Sequence, residues 1–166
     1  MLLFKVTMAI STHSNFFLLA TFAGIVAAGC SSATDEAPTV DRAQPGPLMR
    51  SGENCLSCHR AGGQASAKPW TAAGTVFPAA DSALDEGVAG VTVSIVDGAG
   101  KSVNLTTNAV GNFYTAEPFT KPLRMSVSFG GKKKDMPIPL DADGACNACH
   151  SSPDAIGGAL GRIRIP

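Results

Sequence analysis

The amino-acid sequence predicts a mainly β protein, in which a small sandwich of short strands is flanked by short helical or loop segments. Between residues 73 and 140 short β-type runs alternate with Gly, Asp, Asn and Pro, which is the pattern of an antiparallel sandwich. On both sides the β-type runs stop, and the flanking segments carry closely spaced cysteine and histidine. The start of the chain is typical of an export signal and not of a folded domain.

Residues 1–29 are expected to be a lipoprotein signal peptide. Lys5 precedes an apolar run from Phe16 to Ala28, which is shorter than the roughly 20 residues that cross a bilayer. The run leads into residues 26–30, which read Val-Ala-Ala-Gly-Cys and resemble the cleavage box of bacterial lipoproteins. The resemblance implies that Cys30 carries the lipid and that the protein is lipid-anchored in the bacterial cell envelope, in the periplasm or at the outer-membrane or cell surface. The alternative is an ordinary signal that leaves Cys30 free.

Residues 30–50 are predicted to form a flexible tether, because Ser, Ala, Thr, Pro and Asp dominate them and little can pack. Removal of Lys5 with the signal leaves 12 of the 13 basic residues against 13 acidic ones. This balance argues against nucleic-acid binding. The basic run at residues 132–134 is expected to be a solvated turn, with docking of an acidic partner as the alternative.

Beyond Cys30, every cysteine and histidine falls in one of two C-x-x-C-H units. These residues are Cys55, Cys58 and His59 in the segment 51–72, and Cys146, Cys149 and His150 in the segment 141–166. Two thiols at this spacing on a helical turn can add to the two vinyl groups of one haem, and the next histidine then lies under the iron. The units resemble those of c-type cytochromes. The resemblance implies two covalently bound haem c groups, with the cysteines as thioether anchors and His59 and His150 as proximal iron ligands.

Three other uses of the cysteines stay open. A zinc site can use paired C-x-x-C units, but zinc does not require a histidine directly after each second cysteine. Two structural disulfides would suit an oxidising compartment and would leave both histidines without a role. A thioredoxin-like redox pair would need a βαβ context, which neither unit has.

The sixth iron ligand has to come from another residue type, because both histidines of the mature chain are used as proximal ligands. Met136 is the first candidate, since it lies in a loop or edge strand ten residues before Cys146. Met49, six residues before Cys55, is the candidate for the other haem. Met125 falls on the apolar face of an alternating run and is assigned to the core. A Met ligand predicts a higher reduction potential than that of a bis-histidine haem.

The sandwich itself is predicted from short runs with period-two alternation. Strands are expected at residues 75–77, 91–96, 102–107, 113–115 and 123–129, with a last one near Ile138. A tight hairpin is expected at residues 97–100, and alternation should bury Val91, Val93 and Ile95. Trp70 is expected to pack in the core against the first strand, with packing against a haem face as the alternative.

The segments 74–77, 90–93 and 107–114 resemble the carboxypeptidase regulatory-like, transthyretin-like domains. The resemblance implies a small Ig/transthyretin-like β-sandwich that acts as a structural or interaction module, without catalytic residues. Because the two C-x-x-C-H units bracket this sandwich and domain ends often lie close together, the two haems are expected to lie side by side.

Together these features predict an exported, lipid-anchored dihaem c-type cytochrome that mediates electron transfer and is not an enzyme. Its expected partners are redox proteins and, through the lipid anchor, a membrane; neither nucleic acid nor a small-molecule substrate is expected. One alternative is an anchored β-sandwich interaction module with zinc or disulfides at the C-x-x-C units. The other is a haem sensor or peroxidase-like protein with an open iron site.

Overall fold

The structure, a computed structural model, describes residues 44–166. The predictions of a signal peptide, of a lipid on Cys30 and of most of the tether lie outside these residues. Within residues 44–166 no helix has the length and apolar character that a membrane span requires.

Two β-sheets make up most of the regular structure in this part of the chain. The strands are β1 (Ala72–Thr75), β2 (Thr92–Val96), β3 (Ser102–Thr106), β4 (Asn112–Thr115), β5 (Arg124–Phe129), β6 (Lys132–Asp135) and β7 (Gly144–Ala145). One sheet has the order β4-β1-β7, and the other has the order β3-β2-β5-β6. The helical structure consists of a 3₁₀ turn (Cys55–Ser57) and one helical turn, α1 (Cys146–Cys149). The predicted mainly β, sandwich-like fold is therefore confirmed.

The hairpin between β2 and β3 forms where the sequence predicts it. The Asp97 N–H donates to the Lys101 carbonyl at 2.9 Å, and the Gly100 N–H donates to the Asp97 carbonyl at 3.0 Å. Val91, directly before β2, and Val93 and Ile95 within β2 are all at most 2% exposed. The predicted alternation of β2 is thus confirmed, because these side chains line one face of the sheet and enter the core.

Three details of the predicted strands are wrong. The first strand ends at Thr75, because Phe77 leaves this sheet and forms a parallel bridge to Arg164 near the end of the chain. No strand forms at Ile138, which is 65% exposed. The basic run 132–134 lies in the edge strand β6 and not in a turn, and its exposed lysines hinder pairing of this edge with another chain.

The apolar core reaches one of the two C-x-x-C-H units. Cys146 packs in a buried cluster with residues that include Val76 and Phe113. A Cβ on Gly74 of β1 would lie 2.7 Å from the Phe113 ring and 3.0 Å from the Cys146 Cβ. Only glycine therefore lets β1 pass this close to the start of the second unit.

Candidate functional site

Both C-x-x-C-H units form a single helical turn, as the sequence predicts. The first cysteine of each unit accepts a hydrogen bond from the histidine N–H four residues later. The distance is 2.9 Å from His59 to Cys55 and also 2.9 Å from His150 to Cys146. Residues three apart lie on the same face of such a turn, so the two thiols of each unit lie on one side.

A loop closes over each turn in the same way. The carbonyl of the second cysteine accepts an N–H from a residue seven positions later, which is Ala65 for Cys58 at 3.0 Å and Ile156 for Cys149 at 3.1 Å. In the first loop a Cβ on Gly63 would overlap the Cys58 carbonyl. Gly63 therefore allows the loop to lie close to the Cys58 carbonyl of its own motif.

The two histidines also share one hydrogen-bond arrangement. Nδ1 of His59 lies 2.8 Å from the Lys68 carbonyl, and Nδ1 of His150 lies 3.1 Å from the Gly161 carbonyl. Because a carbonyl only accepts hydrogen bonds, each Nδ1 carries the proton and donates it, which leaves the lone pair on Nε2. Each unit thus offers two thiols and one imidazole nitrogen that is suited to binding a metal ion.

The first thiol of each unit has a raised pKa; Cys146 is buried and Cys55 is half-buried. Cys146 is 6% exposed, and its burial raises the pKa of the thiol to about 12. Burial also raises the pKa of the Cys55 thiol to about 11. An apolar environment of this kind disfavours a free thiolate and suits an uncharged thioether.

The described residues contain neither a disulfide nor a preformed group of three metal ligands. All four cysteines in residues 44–166 are free thiols. In the same range no three His, Cys, Asp or Glu side chains are grouped to hold one metal ion. Zinc or disulfide chemistry at these cysteines stays an alternative.

A buried polar network joins the second unit to the segment before the first unit, and no sequence pattern indicates it. The Thr75 hydroxyl donates to Asn112 Oδ1 at 2.7 Å and accepts from the Gly52 N–H at 2.8 Å and from Asn147 Nδ2 at 3.1 Å. Asn147 lies inside the second motif; its Oδ1 accepts the Thr75 N–H, and its Nδ2 also donates to the Glu53 carbonyl at 3.0 Å. The structure thus brings the second motif against the segment that enters the first, while the arrangement of two haems stays a prediction.

The methionines differ in their relation to the two units. Met49 lines a small pocket of about 50 Å³ together with Cys55, Cys58 and His59. Met125 packs against the core as predicted, and its Sδ lies 4.0 Å from Cys146 Sγ. Met136 is half-buried, and its N–H donates to the Met125 carbonyl at 2.9 Å. Met49 therefore lies at the unit for which it was proposed, and the assignment of Met49 and Met136 as iron ligands stays a prediction.

The surroundings of the second unit fit a haem. Ile156 is 58% exposed and Leu160 is 78% exposed, and both lie in the loop that is hydrogen-bonded to Cys149 and His150. Two large apolar side chains in water beside one motif are unfavourable, and a porphyrin would cover them. The pocket that Met49 lines at the first unit is smaller than a haem, so a macrocycle placed in it would extend over the surrounding surface.

Trp70 does not pack in the core as expected. Its ring is half-buried and lies between the rings of His59 and Tyr114, with centroid distances of 3.5 and 4.3 Å. A tryptophan eleven residues after the histidine gave no signal of this contact in the sequence.

No protein-family model, curated protein or solved structure matches the chain. The function is therefore inferred from the residues of the two units and their geometry.

Proposed function

We propose that this chain is an exported, lipid-anchored dihaem c-type cytochrome that transfers electrons between redox proteins. One observation carries the proposal: in both C-x-x-C-H units the histidine Nδ1–H is bound to a backbone carbonyl. Histidines that bind metal ions almost always donate their other N–H in this way, which fixes the tautomer and the ring orientation. Disulfides or a Cys₄ zinc site would give no reason for two histidines with the same arrangement.

Each unit would hold one haem. Cys55 and Cys58 would form the thioether bonds to the first haem, and Cys146 and Cys149 those to the second. His59 and His150 would be the proximal ligands through Nε2. When bound, the haems would supply a one-electron iron couple; the protein holds the imidazoles in one tautomer and keeps the second unit against the segment that enters the first.

The sixth iron ligands distinguish an electron-transfer protein from a haem sensor or a peroxidase-like protein. We assign Met49 to the first haem and Met136 to the second, which would close both iron sites and raise their potentials above those of bis-histidine haems. The oxidised protein is then expected to show a far-red sulfur-to-iron absorption band. Rapid binding of carbon monoxide to the reduced protein, without that band, would instead support a sensor or a peroxidase-like protein.

The export signal and Cys30 complete the proposal. A diacylglycerol group on Cys30 would hold the protein at a membrane of the bacterial envelope, where redox partners that are also bound to the membrane meet it at high local concentration. Covalent attachment of haem c takes place outside the cytoplasm, and the signal would bring the chain there.

The test is the mass of the mature protein, made in a bacterial host that can attach haem c. We expect a red protein whose haem stain survives denaturing electrophoresis, with a mass increased by two haems and by acyl chains. The double substitution Cys55→Ser with Cys58→Ser should remove one haem from the mass. The control Ser57→Ala, between these cysteines, should keep both. A colourless product with four unmodified or zinc-bound thiols contradicts the proposal.

A further inference from the structure

Three aromatic rings form a continuous stack that begins at His59. The centroids of His59 and Trp70 are 3.5 Å apart and their planes are inclined by 8°. Trp70 and Tyr114 are 4.3 Å apart, with an inclination of 12°. His59 is 8% exposed and Tyr114 is 38% exposed, so the stack runs from a buried histidine to the protein surface.

Each ring of the stack is fixed by a different part of the fold. Trp70 precedes β1 and donates its backbone N–H to the His59 carbonyl at 2.9 Å. Tyr114 belongs to β4 and is paired with Ala73 of β1. The position of the Trp70 ring is therefore determined by the sheet on one side and by the first motif on the other.

The stack and the hydrogen bond restrain the His59 ring in complementary ways. The bond from Nδ1 to the Lys68 carbonyl, 2.8 Å long, lies along the edge of the ring. The Trp70 ring covers its face, so rotation about the Cβ–Cγ bond would break the stack as well as the hydrogen bond. His150 has the corresponding hydrogen bond to Gly161, and no ring stacks on it within residues 44–166. Only the first unit has both restraints.

We propose that Trp70, supported by Tyr114, is a positioning residue that fixes the plane of the His59 imidazole as an iron ligand. This inference rests on the proposed dihaem function. The plane of an axial imidazole decides how its π orbital overlaps with the iron d orbitals, and so how unpaired spin is distributed over the ferric haem. The ligand orientation of the first haem would thus be restrained by a stacked ring and a hydrogen bond, whereas within residues 44–166 that of the second would have the hydrogen bond without a stacked ring.

The test compares variants of the mature, oxidised protein by NMR of the haem methyl groups and by electron paramagnetic resonance. Trp70→Leu removes the stacked ring, whereas Trp70→Phe keeps an aromatic face as the matched control. We expect Trp70→Leu to shift or broaden the methyl resonances of one haem and to change its g values. The second haem serves as an internal reference and should keep its resonances. Trp70→Phe should produce a smaller change at the same haem.

A second variant keeps the test decisive if Trp70→Leu does not mature. Tyr114→Leu removes only the exposed outer ring, and Tyr114→Phe is its control. Tyr114→Leu should shift the resonances of the same haem to a smaller extent. Unchanged spectra in Trp70→Leu and Tyr114→Leu, or equal shifts at both haems, would overturn the positioning role. Lack of a haem at Cys55 and Cys58 in the unsubstituted protein would instead contradict the proposed function.

Discussion

Replacement of Asn147 by alanine should lower the free energy of unfolding by about 2–4 kcal/mol. The amide of Asn147 is 4% exposed and makes three hydrogen bonds, two with Thr75 and one with the Glu53 carbonyl. Each lost bond costs roughly 1 kcal/mol, and the buried Thr75 N–H that is left without a partner adds a desolvation penalty. The variant keeps the C-x-x-C-H pattern, so haem attachment is expected to continue.

The assay is denaturation by urea, followed by far-ultraviolet circular dichroism of the mature protein and extrapolated linearly to water. Ser57→Ala in the first unit is the matched control. Its hydroxyl is exposed and makes a 2.7 Å hydrogen bond to the Asn54 carbonyl, and its loss should change the free energy by less than about 0.5 kcal/mol.

A double-mutant cycle tests whether the network acts as one unit. Thr75→Val keeps the shape of the side chain but removes the hydroxyl that meets Gly52, Asn112 and Asn147. Because the two substitutions share hydrogen bonds, their costs should be less than additive, with an interaction energy of about 0.5–3 kcal/mol. A cost for Asn147→Ala no larger than that of Ser57→Ala, or strict additivity with Thr75→Val, would refute the reasoning.

Two further predictions concern a loop and a hairpin. Gly63→Ala should destabilise the protein by about 1–3 kcal/mol, because the added Cβ overlaps the Cys58 carbonyl; thermal melting checks this against Ser66→Ala in the same loop. The pKa of Asp97 is held below its ordinary value of 3.8, chiefly by the Thr120 N–H and also by the N–H groups of the hairpin. Its stabilising effect is present above about pH 4 and is lost as the pH falls through the lowered folded-state pKa. Asp97→Asn should lower the urea midpoint of unfolding at pH 7, and this midpoint should fall less than that of the unsubstituted protein as the pH drops below 4. The exposed control Asp85→Asn should show neither change. Equal pH profiles for Asp97→Asn and the unsubstituted protein would contradict this.

Local patterns in the sequence predict the parts of the fold that are determined locally. The alternation at residues 91–95 decides which face of β2 is buried, and the turn residues 97–100 decide where its hairpin closes. The bounds of β1 depend on distant partners, since Ala72 pairs with Thr115 and with Gly144. No local pattern contains this information. The missed two-residue strand β7 has the same cause, because it exists only through its pairing with β1.

The candidate site also has some features that local sequence predicts and others that depend on distant parts of the fold. The spacing of the cysteines and histidines identifies the two units and their helical turns from the sequence alone. The acceptors of the two histidines are backbone carbonyls of Lys68 and Gly161, and every residue type provides such a carbonyl. Asn147 occupies a variable position of the C-x-x-C-H pattern, so its role in the buried network depends on where the fold places Thr75. These contacts could be found only from the structure.

The two units share their internal hydrogen bonds but are attached to the fold by different interactions. The first is held through the stack of His59 on Trp70 and reaches the surface at Tyr114. The second begins in the apolar core at Cys146 and is followed by a loop whose Ile156 is exposed. The potential of a haem depends on burial, on ligand orientation and on hydrogen bonds to its ligands as well as on the ligands themselves. Two haems with the same attachment chemistry would therefore differ in potential in this protein, which would give electron transfer between them a preferred direction.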